Sequence, residues 1–300
     1  MIRLDLGDEP ETLKASREER LPAAITAFNN HGTGHEDFTK LLDTGYQVAR
    51  PDLRDRQHGK CAFCEKNEDP FKRPVEHFRP KKGAEDKVDG RWVGINTHYW
   101  WMAWTWSNLY FACDRCNMNG RKGSRFPIEA GYERISTPCR PSADEIAQEH
   151  YVTHHERRLL IDPRHDNPFE HLQWMPVDRT KPKGSWKWTV EGRDERGEMT
   201  VEVLCLSERV DEVNRHLNGL QLLWRQLHKH VQAGRLDDAR EGWDELLDNY
   251  VDTPAQPFRN AAWWAADSLF PAQEREELGL RHPAIPEVRQ QSASTTGQGQ

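Results

Sequence analysis

The sequence predicts an α+β protein in which a cysteine-containing module lies between a helical N-terminal region and a C-terminal region built from a β-hairpin and helices. Three observations support this fold class. Apolar residues recur with a helical period near both ends of the 300-residue chain. Two Cys-x-x-Cys pairs flank a basic, aromatic-rich segment in the first half. A third stretch alternates apolar and polar residues, which is typical of strands.

The N-terminal region, residues 1–55, is predicted to be helical. Apolar side chains lie on one helical face in each of two segments, and a glycine-rich break at 32–34 separates the segments. These side chains are Leu21, Ile25 and Phe28 in the first segment, and Phe38, Leu41 and Leu42 in the second.

The third region, residues 131–205, is predicted to contain the β-hairpin. Residues 186–191 alternate, residues 192–197 form a polar turn bounded by glycines, and residues 198–204 alternate again. Two alternating segments around a polar turn are typical of a hairpin.

Residues 206–280 are predicted to be helical, and residues 281–300 to be a disordered polar tail. Apolar residues from Leu206 to Val231 are spaced by alternating intervals of four and three, which is a heptad stripe. Ser207 is the expected N-cap and Gly234 the expected end of this helix. Two shorter helices are expected after it.

Composition excludes some classes of function. Asp and Glu exceed Lys and Arg, and the net charge is -7, so the chain cannot coat nucleic acid with uniform positive charge. No apolar run reaches the roughly 20 residues of a membrane span. The first residues also lack a basic segment followed by an apolar one. We therefore expect a cytoplasmic protein without a membrane association, in which paired cysteines bind metal before they form disulfides.

The module, residues 56–130, contains the pairs Cys61/Cys64 and Cys113/Cys116. Two thiolates spaced by two residues can reach one ion, and two such pairs complete the tetrahedral sulfur shell of structural zinc. The alternative is two unrelated pairs of reduced cysteines. Because sulfur fills all four positions, this zinc would be structural rather than catalytic.

Glu76 and His77 lie between the cysteine pairs, among several cations. A carboxylate can bind a divalent metal, and a neutral imidazole can take a proton from water, so the dipeptide fits a phosphodiester-cleaving site. Trp100 and Trp104 also lie in this segment, and we expect them to pack in the core rather than to form a base-stacking platform.

Two asparagines complete a recognisable order. Asn108 precedes the second cysteine pair, and Asn117 directly follows Cys116. The order His77, Asn108, Asn117, bracketed by cysteines, resembles the HNH endonucleases, which have a zinc-stapled ββα-metal fold, in their H-N-N form. The motifs at 76–81, 99–104, 106–109, 116–117, 122–127 and 159–163 are similar to those of HNH nucleases from Septu-type and retron-associated antiphage systems. The likeness covers about residues 53–227.

The resemblance implies a role for each residue. His77 would be the general base, Asn108 would orient its imidazole through a hydrogen bond, and Glu76 and Asn117 would hold Mg²⁺ or Mn²⁺. It also implies an ABC/SMC-like ATPase partner, for which residues 206–280 are a candidate docking region. We further expect phosphate contacts from five cations: Arg79, Lys81, Lys82, Lys122 and Arg125.

Several alternatives stay open at this level. The loop at 83–98 is longer than the family pattern, and Asn119 competes with Asn117 as the metal ligand. A stand-alone restriction-type HNH nuclease, and a catalytically silent zinc scaffold that binds partners or nucleic acid, are alternative functions. The sequence does not distinguish DNA from RNA as the substrate, although we favour DNA.

Overall fold

The computed structural model describes residues 1–69, 75–95, 99–135, 142 and 156–288. The N-terminal region is helical, as predicted. Gly32 follows the first helix with φ of 71°, a left-handed conformation that glycine adopts without strain, and the helical break falls there. The elements are a short strand β1 (Arg3–Leu4), α1 (Glu11–His31), α2 (Glu36–Leu42), a 3₁₀ turn (Tyr46–Ala49) and α3 (Arg50–Arg56).

The candidate catalytic module contains two separate pairs of antiparallel strands. Its elements are β2 (Val75–His77), β3 (Ala84–Val88), β4 (Arg91–Ile95), β5 (Leu109–Phe111) and α4 (Asp114–Asn117). Strand β2 pairs with β5, and β3 pairs with β4 to form a hairpin inside the long 83–98 loop. The order β2, β5, α4 is strand, strand, helix, although α4 is a single turn.

The tryptophans of the module belong to the core. Trp100 and Trp104 are 1% and 0% exposed, so the prediction of core packing is confirmed. Trp100 contacts Phe28 and Phe38 of the N-terminal helices, with ring centroids 4.9 and 5.3 Å apart. The local element is a 3₁₀ turn at Trp100–Met102.

One strand of the predicted hairpin is present, and the prediction of its partner strand is wrong. The elements here are α5 (Pro168–His171), β6 (Leu172–Pro176), β7 (Trp188–Gly192) and α6 (Glu195–Leu204). The first predicted strand exists as β7, but it pairs with β6 rather than with residues 198–204. Those residues are helical because the Asp194 side chain accepts a hydrogen bond from the Gly197 N–H at 2.8 Å and caps the helix.

The C-terminal region is helical, as predicted, and its heptad stripe is internal. A 3₁₀ turn (Leu206–Arg209) precedes α7 (Val210–Gln232), α8 (Leu236–Leu247), α9 (Arg259–Leu269) and α10 (Ala272–Leu278). Ser207 lies in the 3₁₀ turn and does not cap α7, whose N-cap is Arg209. The stripe is buried against the rest of the chain, so it is not free to bind a partner; its buried residues are Val213, Leu217, Leu220, Trp224 and Leu227.

The two ends of the described chain meet. Strand β8 (Glu287–Val288) pairs in parallel with β1, so the predicted disordered tail does not begin at residue 281. Residues 289–300 of that predicted tail lie outside the described residues. Within the described ranges, no helix combines the length and the apolar composition that a membrane span requires.

Candidate active site

Four cysteines form one buried cluster. Cys61 and Cys64 lie in the turn after α3, and Cys113 and Cys116 lie at the start of α4 and within it. Their sulfur atoms all lie within 4.8 Å of one another, and Cys64 Sγ is 3.7 Å from Cys113 Sγ. Sulfurs that each lie about 2.3 Å from a tetrahedral zinc are about 3.8 Å apart. The cluster therefore fits a single zinc ion, and the alternative of two unrelated pairs is wrong.

A buried arginine from the C-terminal region contacts this cluster. Arg209 is 4% exposed, and its Nη2 donates a hydrogen bond to Cys113 Sγ at 3.1 Å. The same guanidinium forms an ion pair with Glu212 at 3.0 Å. A donor to a ligating sulfur orients that sulfur and offsets the negative charge of the thiolates. Sequence analysis missed this residue because it lies 93 positions beyond the last cysteine of the cluster.

His77 occupies the end of β2, where it lies opposite Leu109 of β5. It is 6% exposed, and its Nε2 lies 2.9 Å from the carbonyl oxygen of Ala103. A carbonyl can only accept a hydrogen bond, so Nε2 carries the proton and Nδ1 keeps the free electron pair. Burial, with a smaller contribution from the Lys81 charge, lowers the pKa of His77 to about 3. The imidazole is therefore neutral at pH 7.

Glu76 is buried beside a lysine. Its Oε1 lies 2.7 Å from Lys122 Nζ, and the two side chains are 6% and 0% exposed. Lys122 Nζ also donates a hydrogen bond to the carbonyl oxygen of His77 at 2.7 Å. Burial raises the pKa of Glu76, against the opposing effect of the Lys122 ammonium. The expectation that Lys122 contacts phosphate is thus corrected: its ammonium is enclosed and neutralises Glu76.

Asn108 holds the main chain rather than the imidazole. Its Oδ1 accepts a hydrogen bond from the Arg79 N–H at 2.7 Å, and its Nδ2 donates to the carbonyl oxygens of Arg79 and Met102 at 3.1 and 3.2 Å. The expected hydrogen bond to His77 is therefore replaced by an indirect arrangement. Asn108 fixes the segment that ends in Ala103, and the Ala103 carbonyl fixes the imidazole.

Asn117 is the last residue of α4 and is half-buried, whereas Asn119 is exposed. The Asn117 N–H donates to the Cys113 carbonyl oxygen at 3.1 Å, which ties its backbone to the cysteine cluster. Among the described residues, its side chain forms no hydrogen bond with Glu76 or His77. Carboxylate and amide oxygens suit Mg²⁺ chemically, but in this conformation the carboxylate of Glu76 is paired with Lys122.

The other four cations differ in accessibility. Arg79 is 4% exposed, and its Nε donates to Glu156 Oε2 at 2.9 Å, so its expected phosphate contact is also corrected. Arg125 stacks on the Trp92 ring with its guanidinium carbon 4.5 Å from the centroid. Lys81 and Lys82 both contact the carboxylate of Asp43.

Together these features define a protein with a four-cysteine cluster that fits one metal ion and a buried cluster of histidine, glutamate and lysine. The chain is similar to the Septu protein PtuB of Bacillus mycoides (strain KBAB4), at 31% identity over 212 residues. That match covers 66% of this chain and 63% of PtuB. The chain is also 26% identical to the Septu protein PtuA of the same organism over 150 residues, which are 50% of this chain and 18% of PtuA. These similarities support a relationship with the Septu proteins.

Neither of the other two comparisons adds to this. No family model matches the chain, and no solved structure matches it.

Proposed function

We propose that this chain is a metal-dependent HNH endonuclease that hydrolyses DNA phosphodiester bonds in antiphage defence. The observation that carries the proposal is the state of His77. A neutral imidazole, with its proton fixed on Nε2, lies at the end of a strand whose partner leads directly into the four-cysteine cluster. That order of strand, strand and helix is the one expected of a ββα-metal nuclease.

The residues support a simple hydrolytic step. Nδ1 of His77 takes a proton from a water molecule, and the resulting hydroxide attacks the phosphorus atom of the scissile bond. The bond from phosphorus to the 3′ oxygen breaks, the oxygen gains a proton from solvent, and the products carry 5′-phosphate and 3′-hydroxyl ends. Asn108 positions the base through the Ala103 segment.

Two metals belong to the proposal. Cys61, Cys64, Cys113 and Cys116 would hold structural zinc, which fixes the position of α4 relative to β5. Glu76 and Asn117 would bind Mg²⁺ or Mn²⁺, which when bound supplies positive charge at the phosphate and the departing oxygen. In the described conformation Lys122 already supplies a cation at Glu76, so metal binding requires the ammonium to share or leave that carboxylate.

The relatives support the proposed defence role and the proposal of a partner protein. The chain is similar to two differently named Septu proteins, which supports a system with more than one subunit. We propose an ABC/SMC-like ATPase as the partner, because the HNH nucleases that the sequence resembles work with one. The net charge of -7 fits this arrangement, since the chain alone can neutralise few phosphates.

The test is cleavage of a supercoiled plasmid and of a single-stranded RNA by the chain alone and by the chain co-expressed with its ATPase. We expect Mg²⁺-dependent cleavage of DNA that EDTA stops, stronger with the ATPase, and products that a ligase can rejoin. A vigorous reaction by the chain alone, unchanged by the ATPase, would favour the stand-alone restriction-type nuclease.

One observation favours the silent zinc scaffold as a second candidate function. Glu76 is neutralised by Lys122, and His77 is almost wholly buried, so neither is available to a substrate in the described conformation. If the complex binds DNA or its partner but no metal ion or nucleotide brings about cleavage, this second function replaces the first.

A further inference from the structure

A short segment of the N-terminal region lies over His77. Residues 42–46, which we term the 42–46 cap, run from the end of α2 into the 3₁₀ turn at Tyr46. The Tyr46 ring meets the imidazole edge to face, with centroids 4.5 Å apart. This contact is part of the reason that a histidine proposed to activate water is only 6% exposed.

The 42–46 cap is bound by two lysines, Lys81 and Lys82, that follow strand β2. Lys81 Nζ donates to the Leu42 carbonyl oxygen at 2.7 Å and to the Tyr46 hydroxyl at 3.0 Å, and lies 3.4 Å from Asp43 Oδ1. Lys82 Nζ lies 2.6 Å from the other carboxylate oxygen, Asp43 Oδ2. Two ammonium groups therefore hold the two oxygens of one carboxylate.

This arrangement matches what a phosphodiester would need. A phosphodiester also presents two unesterified oxygens that share one negative charge, and lysine is a common phosphate ligand. Asp43 and Lys82 are 49% and 42% exposed, so solvent reaches the pair and an incoming anion can compete for it. Of the five cations expected to contact phosphate, Lys81 and Lys82 are the two that share one carboxylate, and that carboxylate, Asp43, is 49% exposed.

We propose that Asp43 is an internal competitor of the substrate phosphate: it occupies Lys81 and Lys82, and thereby keeps Tyr46 over His77. A DNA phosphate that displaces the Asp43 carboxylate takes both lysines, and the cap loses the ion pairs that hold it at the site. The inference rests on the proposed function and deepens it. It gives Lys81 and Lys82 two roles: they bind the substrate phosphate, and before substrate arrives they hold the 42–46 cap over His77.

Other contacts also hold the 42–46 cap. The test must therefore separate the effect of the Asp43 ion pairs from the effect of these contacts. The Trp104 Nε1–H donates to the Thr44 carbonyl oxygen at 2.9 Å, and Ser16 Oγ donates to the Gly45 carbonyl oxygen at 3.1 Å. Gly45 has φ of 93°, and a Cβ there would lie 2.2 Å from Arg20 Nε. A variant of Asp43 keeps these contacts, whereas a change at Gly45 would distort the cap.

The experiment measures DNA binding by the 300-residue chain in buffer without Mg²⁺ or Mn²⁺, so that cleavage cannot interfere and the imidazole of His77 remains in contact with Tyr46. Fluorescence anisotropy with a short labelled duplex compares this chain with the same chain carrying Asp43→Asn or Asp37→Asn. Asp37 is the control because it is 73% exposed on α2 and its loss changes the net charge equally. Thermal unfolding checks that all variants are folded.

For Asp43→Asn we expect DNA binding about tenfold tighter or more at about 0.1 M salt. The slope of log affinity against log salt concentration should steepen by the equivalent of about one to two phosphate contacts. Adding Lys82→Met should remove most of the gain. Equal effects of Asp43→Asn and Asp37→Asn, or no measurable binding by any variant at low salt, would overturn the inference. If Asp43→Asn tightens binding but no complex cleaves DNA, the phosphate site stands and the nuclease proposal fails.

Discussion

The chemistry of the candidate site depends on one carbonyl oxygen. Ala103 accepts the Nε2 proton of His77 at 2.9 Å and so leaves Nδ1 as the only nitrogen of that ring that can act as a base. Burial then keeps the imidazole neutral by lowering the pKa of His77. The hydrogen bond to Ala103 selects the nitrogen. It also acts to raise the pKa of His77, but burial has the larger effect and selects the neutral form.

This state predicts an unusual pH profile. A general base with an ordinary histidine pKa loses activity as the pH falls through about 6.5, because it becomes protonated. The pKa of His77 is lowered to about 3, so its neutral form persists through the range from pH 5.5 to 8. We expect kcat/KM of the nuclease complex to show no acid limb near 6.5, while circular dichroism confirms folding. A tenfold fall per pH unit below 6.5 would contradict this assignment.

Glu76 and Lys122 form a pair whose stability can be tested without any assay of activity. Both side chains are almost wholly buried, and their charged atoms lie 2.7 Å apart. Removal of one partner from a buried pair leaves an uncompensated charge, which typically costs about 3–5 kcal/mol. Lys122→Met should therefore lower the free energy of unfolding by this order, and Glu76→Gln with Lys122→Met should restore much of it.

The measurement is urea unfolding followed by tryptophan fluorescence at constant zinc content. Lys82→Met is the matched control: its ion pair with Asp43 is exposed, so its loss should cost about 0–1 kcal/mol. Equal costs for Lys122→Met and Lys82→Met would show that the Glu76–Lys122 pair is not buried as described.

The sequence predicts the cysteine cluster, but it does not predict the partners of the buried charged residues. Ligand spacing brought the four cysteines together correctly, because two residues between thiols is a local geometric constraint. The partner of Glu76 is Lys122, which is 46 positions away, and that distance is closed only by tertiary folding. Lysine and arginine are rarely buried without a partner, and the sequence does not reveal that Arg79 and Lys122 have partners. For that reason it predicts them as surface cations, which is wrong.

At the scale of elements, Arg209 connects the metal cluster to the C-terminal helices. It lies at the junction between the 3₁₀ turn and α7, and it donates to Cys113 Sγ. Glu208, its neighbour, pairs with Arg115 of α4 at 2.5 Å and with Arg121 at 2.6 Å. Three contacts therefore connect the cysteine cluster and α4 to the start of α7.

Arg209→Gln should weaken metal retention without unfolding the chain. Loss of a group that hydrogen-bonds a metal ligand typically costs about 10- to 100-fold in metal affinity. The measurement is transfer of zinc to a chromogenic chelator, with Arg215→Gln as the control, because Arg215 is exposed on the same helix. Identical zinc transfer from both variants would mean that Arg209 does not support the cluster.

Element prediction failed where two signals competed. Thr200, Val201 and Val203 favour a strand, since β-branched residues are common there. Asp194 instead caps α6, and Gly197 lets that helix approach the end of α5: a Cβ at position 197 would lie 1.9 Å from the His171 carbonyl oxygen. The Asp194 N-cap and the close packing at Gly197 favour the helix more than the alternation favours a strand. The packing depends on tertiary contacts, which a single sequence does not show.

At the scale of the whole molecule, the C-terminal helices are part of the fold that supports the site. Lys60, next to the cluster, donates to the carbonyl oxygens of Pro254 and Gln256 at 2.6 and 2.9 Å. The heptad stripe is buried inside the chain, so the proposed partner would have to contact other faces. Leu222 of α7, which is 50% exposed, offers one such position.

The central claim is that His77 is the general base of a zinc-stapled, metal-dependent nuclease. The most direct measurement is the single-turnover rate of DNA cleavage by the nuclease–ATPase complex with wild-type chain, His77→Ala or His165→Ala, together with zinc content. His165 is the control because its side chain is 58% exposed and it lies in a turn outside the cysteine-containing module.

Since removal of a general base typically costs about 100- to 10,000-fold in rate, we expect a loss of that size for His77→Ala. Zinc content and complex formation should be unchanged, and His165→Ala should cleave like the wild type. Cleavage by His77→Ala at the wild-type rate, with zinc retained, would contradict the account.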